Sequence, residues 1–271
     1  MRQGEERPRA RTLAAAELLA HHRLERLTFG GFPDESRPRD EAEAYEAQTL
    51  LHALLEEAGR GEVTGHKIGC TTPTMQAYLN IPRPAAGGVF ASTVQHLEGR
   101  FRHADFVRPG VECELAVRLS RDLAARDAPF EREEIRAAIG SIMPAIELVD
   151  DRYTDWGGLG ALTLIADDFF GAGCVLGPER ESWQGEVDLS LISARMTING
   201  IEIGAGVGSD ILGDPLTALM WLVNEMAGYG HSFRDGGFVL LGSLVQTHWI
   251  QQHDVVVVDN DPLGSVTARF D

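Results

Sequence analysis

In the stretch 108–119, RPGVECELAVRL, two glutamates stand two residues apart. Side chains of an extended strand alternate between faces, so Glu112 and Glu114 share one face while Cys113 and Leu115 take the other. On an ordinary half-buried sheet such a pair is simply solvated. Here Val111, Leu115, Ala116, Val117 and Leu119 place apolar residues on both faces, which predicts a mostly buried strand in which two unpaired carboxylates are costly. A cation relieves that cost. A third carboxylate, Glu147, sits in the apolar run 142–150, IMPAIELVD. An acid so placed is paired, protonated or bound to metal. Three carboxylates make a hard oxygen set suited to Mg²⁺ or Mn²⁺, leaving about three octahedral positions for water or substrate, whereas a structural Ca²⁺ site calls for more protein oxygens.

Lys67 lies between His66 and Ile68 in a further strand-like run, GHKIGCT. By itself it reads as a solvent-exposed lysine; beside an anionic site it would hold a carboxylate or an enolate oxygen. His66 faces the other way and reads as structural. The chain carries no G-x-S-x-G elbow, no P-loop and no H-E-x-x-H. The glycines of 204–208, GAGVG, lack the spacing of a phosphate loop and are expected to turn into the next helix.

These residues need a frame that can bury them. The chain has 271 residues, 44 % of them hydrophobic, which is enough for a sizeable core. Lys and Arg number 24 against 41 Asp and Glu, and the net charge of −17 argues against nucleic acid or an anionic membrane as partner. The three cysteines, Cys70, Cys113 and Cys174, are widely spaced without a C-x-x-C pair, the pattern of free thiols in a reducing cytoplasm. The Arg-rich start lacks the apolar stretch of a secretory signal, and the run 216–223 is too short for a membrane span. A soluble, cytoplasmic chain is expected.

The stretch 1–12 shows no periodicity and reads as irregular. Helical spacing at 13–24 and 40–58 predicts two opening helices. From Gly65 onward, strands are expected at 66–70, 110–118, 143–149, 172–176, 189–203, 238–245, 255–258 and 265–270. Asn199-Gly200 predicts a two-residue hairpin turn. Helices are expected at 132–139 and 215–227, the latter with Asp214 as N-cap and Pro215 at its first position. The fold class is therefore α+β, a mixed β-sandwich roll at 65–271 preceded by a small helical region at 1–64.

In chain order, GHKIG, G-x-E-x-E, PAIELVD-x-R with Trp156 after it, IADDFFGAGCVLG, NG…G-x-G…DP…WL and the ending LGSVTARF resemble the fumarylacetoacetate hydrolase superfamily. The branch of 2-keto-4-pentenoate hydratases and 2-oxo-3-hexenedioate decarboxylases is the most similar. The resemblance runs from about Gly65 to Phe270. It implies that fold's β-rich roll, one Mg²⁺ or Mn²⁺ at Glu112, Glu114 and Glu147, and Lys67 as the active-site lysine. It also implies a small-molecule 2-oxo acid substrate and a homo-oligomer. Ser243 falls where relatives place a small residue near the substrate.

The implied activity is that of a metal-dependent hydro-lyase, like the 2-keto-4-pentenoate hydratases, working through a metal-stabilised enolate. The same enolate serves a 2-oxo acid decarboxylase or a C–C bond hydrolase of an acylpyruvate-like diketone. A non-catalytic partner subunit is the reading outside catalysis. Two departures from the family pattern bear on this choice. Ala85 stands in 81–89, IPRPAAGGV, where hydratases carry an acid. Asp168, Phe169 and Phe170 stand where relatives commonly have Asn and small residues, so Asp168 and Phe169 are expected at the substrate, with both rings forming a bulkier, more apolar wall.

Overall fold

The computed structural model describes residues 6–271. The chain runs α1 (Glu6–Glu25), α2 (Glu41–Leu55), β1 (Val63–Gly69), α3 (Pro73–Leu79), β2 (Ala85–Phe90), β3 (Val94–His96), β4 (Glu98–Phe101), β5 (Pro109–Leu119) and α4 (Arg132–Ala137). It continues with β6 (Ile139–Asp150), α5 (Ala161–Ala166), β7 (Gly171–Leu176), β8 (Ser193–Ile198), β9 (Ile201–Val207), α6 (Pro215–Gly228), β10 (Phe238–Trp249), β11 (Val255–Asp261) and β12 (Gly264–Phe270). A seven-stranded sheet has the order β2-β1-β10-β5-β6-β7-β3, and a five-stranded sheet the order β4-β12-β11-β8-β9. Both are mixed: β1–β10, β3–β7 and β4–β12 pair in parallel and the remaining neighbours are antiparallel. The smaller sheet packs on β5, β6, β7 and β10. The expected α+β sandwich is the observed one.

Local chemistry explains the helices. Asp40 caps α2 by accepting the Glu43 N–H at 2.9 Å, and Glu41 and Glu43 in the first turn offset the helix dipole. Asp214 does the same for α6, accepting from Leu216 N at 2.8 Å ahead of Pro215. The buried face of α2, with Tyr45, Gln48, Leu51 and Leu55, joins one hydrophobic cluster that also takes in α1 and both sheets. Helix α1 begins at Glu6, so 6–12 are helical rather than irregular, while 1–5 lie outside the described residues. Arg11 ties this opening turn to the loop before α2 by donating to the carbonyl of Asp34 at 2.7 Å.

Two further expectations change. The run 189–203 is broken into a 3₁₀ turn at Leu189–Leu191 and the β8–β9 hairpin, whose turn at Asn199 and Gly200 has φ of 52° and 78°, as an Asn-Gly turn requires. The glycines of 204–208 do not form a turn into α6; most lie in β9, where β10 crosses at close range. A Cβ on Gly206 would stand 2.1 Å from the carbonyl oxygen of Leu244, and one on Gly204 would stand 2.7 Å from a Val245 methyl. Gly206→Ala is therefore expected to destabilise the protein by about 1–3 kcal/mol through overpacking. Thermal unfolding checks this against Gly228→Ala, which meets nothing within 4 Å and is expected to cost nothing.

Candidate metal and substrate site

β5 and β6 are antiparallel neighbours, and their register sets Glu112 directly opposite Glu147. Glu114 lies two residues along the same face of β5, opposite Ser243 of β10. Oxygens of the three carboxylates fall within 4.8 Å of one another. Like charges facing each other across a strand pair are destabilising, and burial sharpens the conflict, since Glu114 and Glu147 are 0 % and 1 % exposed. Burial pushes Glu114 well above the usual carboxylate range, and the charges of Glu147 and Glu112 add to the effect. Burial also pushes Glu147 up to about 7, against the pull of Lys67.

Protein donors satisfy only part of this set. Gly242 N–H donates to Glu114 Oε2 at 2.7 Å, the Thr247 hydroxyl donates to Glu112 Oε1, and Lys67 Nζ pairs with Glu147 Oε1 at 2.8 Å. Glu114 Oε1 and Glu147 Oε2 are buried with no donor. Two orphaned oxygens within a hard carboxylate trio fit one divalent cation. Glu114→Gln keeps the volume but removes charge and a strong ligand. Affinity for Mn²⁺ is expected to fall at least tenfold, about 1.4 kcal/mol, by titration calorimetry.

The backbone of β10 makes this arrangement possible. Its pairing with β5 shifts register between Leu240 and Ser243, and twice more before His248. At the first irregularity Gly242 adopts φ 127°, and the bulge turns its N–H onto Glu114. The sequence reading ended this strand at Val245 and so missed Thr247, which supports Glu112. No period-2 pattern survives across three bulges to mark it.

Lys67, on β1 beside β10, is 3 % exposed. Burial pulls its ammonium down, but Glu147, Glu112 and Glu114 outweigh that and raise it, so it stays charged. Its second partner is the carbonyl of Phe169 at 2.8 Å. That carbonyl is presented by Asp168–Phe170, three successive non-glycine residues with φ of 54°, 49° and 67°. Such a left-handed run is strained and persists only where its surroundings hold it.

Asp168 supplies the hold. Its carboxylate accepts from Arg23 Nη1 at 2.9 Å, His52 Nε2 at 2.7 Å and Gly88 N at 2.8 Å. Burial alone would push this carboxyl up, yet His52, Arg23 and the Gly88 N–H hold it well below the usual carboxylate range. Arg23, Arg152 and Tyr153 meanwhile converge on Asp167. Asp168, expected at the substrate, is 0 % exposed and engaged from α1, α2 and β2, and it is not among the residues lining the cavity beside Lys67.

Four of the expected residues, Lys67, Glu112, Phe169 and Ser243, line one cavity of about 490 Å³, while Glu114 and Glu147 lie buried behind it. Trp156 and Trp249 also line it. Ala85 does not. It opens β2 opposite Gly69 and is 0 % exposed, packed within the core cluster. His66 packs its ring 4.7 Å from that of Phe233, in keeping with a structural role.

A family model described as Fumarylacetoacetate (FAA) hydrolase C-terminal matches residues 80–271. The chain is 33 % identical over 227 residues to a 2-keto-4-pentenoate hydratase of Burkholderia vietnamiensis, covering 84 % of this chain and 85 % of that one. It is 34 % identical over 229 residues to the TodF product hydratase of Pseudomonas putida, covering 84 % and 83 %. The fold superposes with a TM-score of 0.89 on the 4-oxalocrotonate decarboxylase from Pseudomonas putida G7 complexed with magnesium and adipate, at 26 % identity over 97 % of this chain and 98 % of that one. The chain belongs to the fumarylacetoacetate hydrolase family.

Proposed function

We propose that this protein is a hydratase-like lyase acting on a 2-oxo or 2-enol acid, with Glu112, Glu114 and Glu147 holding Mg²⁺ or Mn²⁺ and Lys67 as the catalytic cation. The observation that carries this reading is the carboxylate trio within 4.8 Å, completed by a buried ammonium 2.8 Å from Glu147, at a closed-in cavity. A divalent cation held by Glu112, Glu114 and Glu147 would supply fixed positive charge to the 2-oxo end of such a substrate.

Lys67 has three N–H donors, of which Glu147 and Phe169 engage two. The third is left for a substrate oxygen, where it stabilises the enolate charge that develops on the C2 oxygen as water adds to the conjugated 2-oxo acid, charge that is discharged when C3 takes up a proton. Phe169 and Ser243 shape the wall beside it. The helical region 1–64 acts on the catalytic domain 65–271 through Arg23 and His52, which brace the turn bearing the Phe169 carbonyl.

Decarboxylation is the second reading, favoured by the whole-chain likeness to the decarboxylase fold. Product analysis separates the two. Incubated with Mg²⁺ and a 2-hydroxydienoate, the protein is expected to give a product with every carbon retained and one water added; release of CO₂ from a 2-oxo-enedioate with no hydration overturns the hydratase reading.

The relatives' names support a place in the breakdown of aromatic compounds. A cytoplasmic setting is supported by three buried cysteines, all free. No helix among the described residues is long and apolar enough to cross a membrane.

A further inference from the structure

From Lys67 a run of rings leads away along the cavity wall. The ammonium nitrogen lies 5.8 Å from the centre of the Phe169 ring. Phe169 and Phe170 are 6.1 Å apart, and Phe170 and Trp156 meet edge-to-face at 5.7 Å. All three rings line the cavity, and Met75 adds a thioether. At about 490 Å³ the space falls within the range, roughly 300–1,000 Å³, of cavities that enclose drug-sized ligands, well beyond the need of a five-carbon acid.

The charges on this wall are few. Among the described residues lining it, the acidic and basic side chains are Lys67, Glu112 and Asp210. Lys67, engaged by Glu147 and the Phe169 carbonyl, keeps its remaining N–H for the 2-oxo end of the substrate, and Asp210 accepts the Val207 N–H at 2.9 Å. Arg108 comes near, its guanidinium 4.3 Å over the Trp249 ring, but it pairs with Asp151 at 3.1 Å and does not line the cavity. A second carboxylate at the far end of a substrate would thus shed water and meet aromatic faces and Asp210, with no cation to receive it. An alkyl or aryl end would replace water on the same rings favourably.

We propose that the cavity selects 2-oxo acids bearing a single carboxylate and an apolar or aromatic tail, and discriminates against 2-oxo dicarboxylic acids. This rests on the reading of the site as one for 2-oxo or 2-enol acids. Calorimetric binding to the Mn²⁺-saturated protein tests it with 2-oxohexanoate and 2-oxohexanedioate, equal in length and different only at the far end, and with 2-oxo-4-phenylbutanoate. The dicarboxylate is expected to bind at least tenfold more weakly than 2-oxohexanoate, and the phenyl acid at least as tightly as 2-oxohexanoate.

Met75→Arg puts a cation on the wall from a partly exposed helix position and is expected to narrow the gap between the two six-carbon acids at least threefold; Gln246→Arg, at an exposed lining position on β10, stands in if that variant does not fold. Equal or tighter binding of the dicarboxylate by the wild type overturns the tail preference and leaves the 2-oxo acid reading standing. A gap unmoved by the added arginine overturns its assignment to a missing cation. Binding of Mn²⁺ but of none of the three acids overturns the 2-oxo acid reading, and this proposal with it.

Discussion

Asp168→Asn is expected to lower the midpoint of thermal unfolding by about 6–20 °C. The substitution keeps the shape but strips the charge from a carboxylate that is 0 % exposed and engaged by Arg23, His52 and Gly88 N–H. Removing one partner of a buried, hydrogen-bonded charge pair costs about 3–5 kcal/mol, and each kcal/mol moves the midpoint of a chain this size by about 2–4 °C. The native carboxyl lies below its usual range, so its contribution is fully present above the unfolded pKa of about 3.9 and is lost as pH falls toward the native value. Unfolding followed from pH 5 down to 2 is expected to show a smaller loss of stability in the variant than in the wild type. Turnover is expected to fall as well, because the same carboxylate braces the turn that presents the Phe169 carbonyl to Lys67. A midpoint within 2 °C of the wild type would show that Arg23 and His52 find other partners.

Lys67→Met is expected to depress kcat by about two orders of magnitude, the usual loss when one preorganised donor to a developing oxyanion is removed. The fold is expected to survive. Lys67 holds Glu147 down, so without it that carboxyl, already at about 7, rises further and takes a proton near neutral pH rather than remaining as an uncompensated buried charge. Steady-state kinetics beside Mn²⁺ calorimetry separate the roles. A 100-fold loss of kcat with retained Mn²⁺ binding supports a catalytic cation. A large fall in unfolding midpoint with unchanged specific activity makes Lys67 structural.

Much of the site was legible in sequence because a strand has a period of two. Glu112 and Glu114 must share a face whatever their neighbours, and an acid inside IMPAIELVD must find charge or lose its own. The Asn-Gly turn and the cap at Asp214 were equally local, since each is satisfied within a few residues of itself. Face, however, does not specify register. That Glu112 sits opposite Glu147 is decided by the pairing of β5 with β6.

The rest lies further from local rules. Ala-Ala-Gly-Gly in β2 has little strand propensity; it is extended because it pairs with β1 while Gln48 and Tyr45 of α2 bond the carbonyl and N–H of Ala86. The bulges of β10 bring Gly242 N–H and Thr247 to the carboxylates, and a bulge erases the alternation by which a strand is read. Asp168 was expected at the substrate from its place in the family-like segment IADDFFGAGCVLG, and its partners Arg23, His52 and Gly88 stand 145, 116 and 80 residues away. The sequence by itself determined which carboxylates share a face and which ionisable side chains stand inside apolar runs, because residue type and alternation are local properties. Which carboxylates are left for a cation and which are locked into the scaffold was decided only when the tertiary structure assigned their distant donors.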